Sequence, residues 1–296
     1  MTTDDNNPLP PEPPEPLEPV PQSIEPVALE GAPAASRFSA PMERPLPEDL
    51  RVPWDWLDVA LLAVIAFVGA LLSGVVVAIV LGFFGVSPAH LRKSPDALGI
   101  IAVSAQILLN VGLLAYLAAQ MRLRFQSPFW RTIGWRPLET GRVRRGVVYV
   151  ALIFCGFFLA RMVSLAESMF PPKHPLPIQT MLQTQHAALL FMLTAVLLAP
   201  VVEETVFRGY LYPVVARSVG VSAGVVITGT LFGLLHAGQL WGGWWQIALL
   251  VVVGILFTLV RAVSRTVVAS YILHASYNAL PVIAGLLSSV KILHIH

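Results

Sequence analysis

Residues 187–208 read AALLFMLTAVLLAPVVEETVFR, an almost uncharged run that ends in Glu203-Glu204-Thr205-Val206-Phe207-Arg208 before hydrophobicity resumes. The run is long and apolar enough to lie in a membrane. A carboxylate near hydrocarbon costs several kcal/mol, so it is rare unless paired or useful. Only seven acidic residues follow position 50, and two of them stand side by side here. This pair is where the chemistry is to be sought.

The rest of the chain has the same character. Of 296 residues, 56% are hydrophobic and 12% charged, with mean hydropathy +0.72. A soluble domain carries about a quarter charged residues, so the composition is that of an integral membrane protein. From Val52 onward there are seven apolar segments, at 57–84, 97–120, 146–169, 187–208, 219–237, 246–262 and 267–289. Each is near the ~20 residues that a spanning helix needs. The expected fold is therefore all-α and polytopic, with about seven transmembrane helices over residues 51–290. Trp54 and Trp56 before the first span, and Trp241, Trp244 and Trp245 before the sixth, suit interfacial anchoring. Cys155 lies inside an apolar run and reads as a small packed hydrophobe, which excludes a disulfide framework or a cysteine metal site.

Charge is segregated along the chain. Residues 1–50 hold ten acids against Arg37 and Arg44, and 13 of the 25 prolines. Such a segment cannot bury enough apolar surface to offset its ordering entropy, so an extended, disordered arm is expected, a linker rather than a docking element. It lacks the basic start and apolar stretch of a signal peptide and is expected to stay in the mature protein. The loop between the second and third segments holds Arg122, Arg124, Arg131, Arg136, Arg142, Arg144 and Arg145. That concentration puts the loop, and with it the N-terminus, in the cytoplasm, the expected setting being the bacterial inner membrane. The basic balance orients the protein and is no sign of a nucleic-acid partner.

Adjacent helical residues point about 100° apart, so Glu203 and Glu204 are not expected to face one site together. Arg208 follows Glu204 by four residues, the favourable spacing for a helical ion pair. Glu204 and Arg208 are thus assigned to each other, which leaves Glu203 available as a general base. The competing reading is that both acids merely mark the membrane edge. His236 at the end of the fifth segment, and His274 with Asn278 one turn apart in the seventh, weigh against it. Two histidines, an asparagine and a carboxylate on three apolar segments each cost free energy unless they meet or line a wet cavity.

Peptide hydrolysis would give that meeting a purpose. Glu203 with His236 could hold and deprotonate water, while His274 and Asn278 could donate to the carbonyl oxygen. G-x-S-x-G is absent and Cys155 has no nearby acid–base partner, so no serine or cysteine nucleophile is evident.

The segments Glu203-Glu204-x-x-x-Arg208, Phe232-x-x-x-His236 and His274-x-x-x-Asn278 resemble, in order, the motif set of the CAAX prenyl protease and bacteriocin-processing (CPBP, or Abi) family of intramembrane endopeptidases. Ala199-Pro200 and Phe207-Arg208-Gly209 resemble its usual context, and the similarity covers residues 180–290. The resemblance implies a catalytic cavity in the C-terminal helical bundle, open to the cytoplasm. It implies Glu203 and His236 as water activators and His274 and Asn278 as oxyanion stabilisers, with Glu204, Arg208 and Phe232 in support. It implies as partners a membrane-associated peptide or protein substrate and the lipid bilayer; that no cofactor is needed is expected from the ligand preferences of the site residues.

Three alternatives stand beside it. A zinc-dependent protease would use Glu203, His236 and His274 as ligands, although H-E-x-x-H is missing and Asn278 is a poor zinc ligand. A non-catalytic scaffold or immunity protein would keep the motif residues for packing, and a proton-coupled carrier would use them as a relay. One geometric difficulty attends every reading that joins Glu203 to His236. A hairpin turning near Tyr212 would separate the two by about 20 Å along the membrane normal.

Overall fold

The computed structural model describes residues 47–85, 95–181 and 185–293, which contain no β-strand. The expected arm thus lies outside the described residues, apart from its last four. Seven long helices form the body: α1 (Trp56–Phe83), α2 (Pro95–Leu123), α3 (Arg142–Met169), α4 (Ala188–Val219), α5 (Val221–Leu235), α6 (Trp244–Ser264) and α7 (Val267–Leu293). The first four and α6 are long and apolar enough to cross a membrane, and α5 and α7 add two shorter apolar helices. The protein is an all-helical, polytopic membrane protein.

The fourth helix departs from expectation in a way that decides the site. It does not turn at Tyr212 but continues through Pro213 to Val219, and the chain reverses at Gly220, whose φ of +88° is natural only for glycine. Two π-helical stretches interrupt it, Thr194–Leu198 and Glu204–Leu211. Each directly precedes a short helical segment with proline near its start, Pro200 and Pro213. In a regular helix the proline ring would clash with the carbonyl four residues back and deny it a donor. A widened turn relieves the clash, so the helix passes each proline without ending, but the missing N–H still leaves a carbonyl to be served.

The reversal at Gly220 removes the 20 Å discrepancy. Glu203 lies 17 residues before the turn and His236 16 after it, about 25 Å and 24 Å at helical rise. The two residues are level.

Close backbone approach then packs α5 against α6. A Cβ on Gly229 would collide with the backbone of Gly254 and Ile255, and one on Gly233 would stand 2.7 Å from the Val251 Cα. Gly229 and Gly233 form a G-x-x-x-G face, which lets membrane helices approach closely when lipid supplies no hydrophobic drive between them. A Gly229→Ala substitution is expected to destabilise the protein by about 1–3 kcal/mol through overpacking. Gly112→Ala, where a Cβ meets nothing within 4 Å, should not lower stability. Unfolding midpoints of the two purified variants check this pair. Similarly, Gly156 of α3 lies against Leu273 and Ser276 of α7.

The first two helices are held to α4 by polar contacts. Tyr210 Oη donates to Gln120 Oε1 (2.7 Å), Gln120 Nε2 donates to Asp58 Oδ1 (3.1 Å), and Arg124 pairs with the same carboxylate. Trp54 is no interfacial anchor. It is fully buried, stacked on Tyr210 at 4.8 Å, with its indole N–H donating to the Tyr210 carbonyl. Trp56, Trp241, Trp244 and Trp245 are exposed. Pro47–Leu50, assigned to the arm, pack instead against the helical body: Leu50 is buried and Asp49 pairs with Arg261 at 2.7 Å. Cys155 is exposed on the outer surface of α3 rather than packed inside, because Gly156 beside it takes the contact with α7.

Candidate active site

The predicted residues converge where α4, the end of α5, α6 and α7 meet. Glu203 reaches out from α4 between two imidazoles: its Oε1 stands 3.8 Å from His236 Nε2 and its Oε2 3.6 Å from His274 Nε2. Both separations exceed a direct hydrogen bond and fit an ion pair or a shared water. The Glu203 and His236 side chains keep 23% and 21% of their surface accessible, whereas Glu204 and Arg208 keep none. The site therefore has an open half and a sealed half.

His236 caps α5. Its Nδ1 lies 2.9 Å from the Phe232 carbonyl, and a carbonyl only accepts, so Nδ1 carries the proton. Nε2, the nitrogen facing Glu203, is left as an acceptor in the neutral ring.

In the sealed half, Glu204 and Arg208 pair as expected, Nη1 to Oε1 at 3.1 Å. Glu204 does more than balance the arginine. The same Oε1 accepts from His274 Nδ1 at 2.9 Å, so His274 sits between the two adjacent glutamates, one on each ring nitrogen. The expectation that the two carboxylates could not serve one site is overturned. Glu204 begins a π-helical stretch, and the changed angular step there lets neighbouring side chains straddle one ring.

Arg208 is fully buried and uses the rest of its donor fork on α6: Nη2 donates to the Gly254 carbonyl at 2.9 Å and Nε to Thr258 Oγ1 at 3.3 Å. Its guanidinium lies 4.4 Å from the centroid of the Phe232 ring and 5.4 Å from that of Phe257. Phe232 thus supports the site by covering the cation, a contact that gains strength when desolvated. Phe257 in turn stacks on His274, with centroids 4.5 Å apart.

Asn278 has a different first partner from the one expected. Its Nδ2 donates to the Ala195 carbonyl of α4 at 2.8 Å, which occupies one of its two amide protons and leaves the second.

Sequence reasoning missed Phe257, Thr258 and Gly254. Thr258 was findable: an arginine expected in an apolar segment needs acceptors for five N–H groups, and one glutamate cannot supply them. Thr258 and Gly254 lie four apart on one face of the sixth segment. Among the described residues, no group of three His, Cys, Asp or Glu side chains stands in metal-holding geometry.

Residues 185–280, which contain every residue named above for the site, match the model of the type II CAAX prenyl endopeptidase Rce1-like family. No curated protein and no solved structure matches the chain.

Proposed function

We propose that this chain, an intramembrane endopeptidase of the Rce1-like CAAX family over residues 185–280, hydrolyses a peptide bond of a membrane-associated substrate without a metal. The observation that carries the reading is the Glu203 carboxylate, bracketed by His236 and His274 and partly accessible.

The chemistry follows from the hydrogen-bond polarities. With Nδ1 protonated on Phe232, His236 offers Nε2 as an acceptor opposite the Glu203 carboxylate. A water between them donates to both, which turns its lone pair toward a carbonyl carbon. Glu203 takes a proton as the water oxygen attacks, and later passes it to the leaving amine. His274 Nε2 and the second Asn278 Nδ2–H face the developing oxyanion. To donate, His274 must carry its second proton, and the resulting charge stands between Glu203 and Glu204. With Arg208 included, two carboxylates then meet two cations, so the buried cluster is neutral overall.

The arginines of the α2–α3 loop support an N-terminus in the cytoplasm. A C-terminal peptide with a lipid-modified cysteine fits the family and would reach a membrane-embedded site by lateral diffusion.

The test compares membrane-protein peptides from cells carrying the native protein, Glu203→Ala or His236→Ala. An uncut precursor that accumulates in both variants is the expected result. If both variants fold and no peptide differs, the protease reading fails. Metal analysis of the purified chain, with dialysis against EDTA, addresses zinc: activity should survive, whereas stoichiometric zinc lost with activity would overturn the metal-free mechanism.

A further inference from the structure

Asn278 donates to a carbonyl that an α-helix would ordinarily satisfy for itself. In the π-helical stretch Thr194–Leu198, the Ala199 N–H bonds to the Thr194 carbonyl, five residues back. In that register the next carbonyl, Ala195, faces residue 200. Residue 200 is proline and has no N–H. The donor that a regular helix would use instead, on Ala199, is already engaged. Ala195 is left with a half-buried carbonyl that has no main-chain donor, and Asn278 Nδ2 serves it at 2.8 Å.

This fixes the amide. A carbonyl only accepts, so the nitrogen end of the Asn278 side chain must face Ala195, and amide planarity then sets the directions of the second Nδ2–H and of Oδ1. Pro200 is itself buried on α4, three residues before Glu203. One residue type thus accomplishes two things in the same turns: it carries the helix past the site and leaves a carbonyl free to orient a side chain of α7.

We propose that Pro200 is a positioning residue for Asn278, acting by withholding a backbone N–H from the Ala195 carbonyl. The catalytic consequence rests on the reading above, in which Asn278 donates to the oxyanion. A preset donor costs no reorganisation during reaction, whereas a freely rotating amide does. Replacing Pro200 by any residue with an N–H supplies Ala195 with a competing main-chain donor and loosens Asn278.

The chain has four asparagines, Asn6, Asn7, Asn110 and Asn278, so its side-chain amides are separable by NMR in the full protein labelled with 15N-asparagine. Asn278→Ala identifies the relevant signal. In the native protein, one of the two Asn278 Nδ2 protons should exchange with water at least about tenfold more slowly than the other, since the carbonyl bond must open first. Pro200→Ala and Pro200→Gly both restore the N–H and should both remove that difference. Helix propensity separates these two variants, so an effect seen in glycine alone would indicate helix weakening and overturn the proposal. Protection that persists in both also overturns it, and leaves the reading of Glu203 and His236 untouched.

Kinetics on a farnesylated, internally quenched C-terminal peptide in vesicles supply the second readout. Both variants should lose about tenfold in kcat with KM unchanged, part of the 10²–10³ that removing an oxyanion donor outright costs. In an Asn278→Ala background, Pro200→Ala should have no further effect. Release of the amide with kcat unchanged would overturn the catalytic consequence, together with the oxyanion role of Asn278.

Discussion

Glu203→Gln is expected to lower kcat by about 10²–10⁴-fold, the range over which a positioned general base contributes, with KM and the unfolding midpoint nearly unchanged. Glutamine matches glutamate in shape and can still hold a water by its carbonyl oxygen, so binding survives while proton transfer does not. The fold should tolerate the change because the Glu203 side chain is partly accessible and stands 3.6 Å and 3.8 Å from its histidines rather than in direct bonds. The neighbouring Glu204→Gln makes the contrast. Glu204 is sealed and shared by His274 and Arg208, so that variant should lose activity and stability together. Measuring kcat and the unfolding midpoint for both variants separates the roles. Glu203→Gln activity above a tenth of native would sink the assignment of the base.

Arg208→Ala is expected to have the largest effect on stability, about 3–5 kcal/mol, because it strands a buried carboxylate. With the guanidinium gone, Glu204 Oε1 keeps only His274. Its Oε2 already has no protein partner, and the Gly254 carbonyl loses its arginine bond. The Phe232 and Phe257 rings lose the cation between them. Lysine should not rescue the site, since a single ammonium cannot reproduce a fork that serves Glu204, Gly254 and Thr258 at once. The double variant Glu204→Leu, Arg208→Met should recover much of the stability, because removing both members of the pair strands neither of their charges. It should stay inactive, because His274 loses the acceptor on Nδ1. Denaturant titration of the three variants checks the order. An Arg208→Ala protein within 1 kcal/mol of native would show that the ion pair is not a buried one.

Several features were readable before any coordinates. Seven apolar segments of spanning length sufficed for an all-helical membrane fold, because in lipid each backbone group must be paired within its own helix. The Glu204–Arg208 pair followed from i,i+4 spacing, a local property of one helix, and His274 and Asn278 on one face followed from the same period. Trp54 shows where such reasoning stops. An indole before a spanning segment looks the same in sequence whether it floats at the interface or is buried under a tyrosine 156 residues away. The choice lies with the partner.

The sequence by itself determined the fold class, the approximate spans and the polar residues that hydrocarbon would not tolerate alone. Its information was local: hydropathy over about 20 residues and helical period over four. Only the tertiary structure decided how those residues meet. It moved the reversal from Tyr212 to Gly220, which made Glu203 and His236 level. It set His274 between two adjacent carboxylates and gave Asn278 a carbonyl that Pro200 leaves unserved. The physical reason is the register of one helix. Two π-helical stretches beside two prolines shift which carbonyls and side chains of α4 are offered to its neighbours; the prolines are written in the sequence, but which residues of α5 and α7 the shifted register meets depends on how the helices pack.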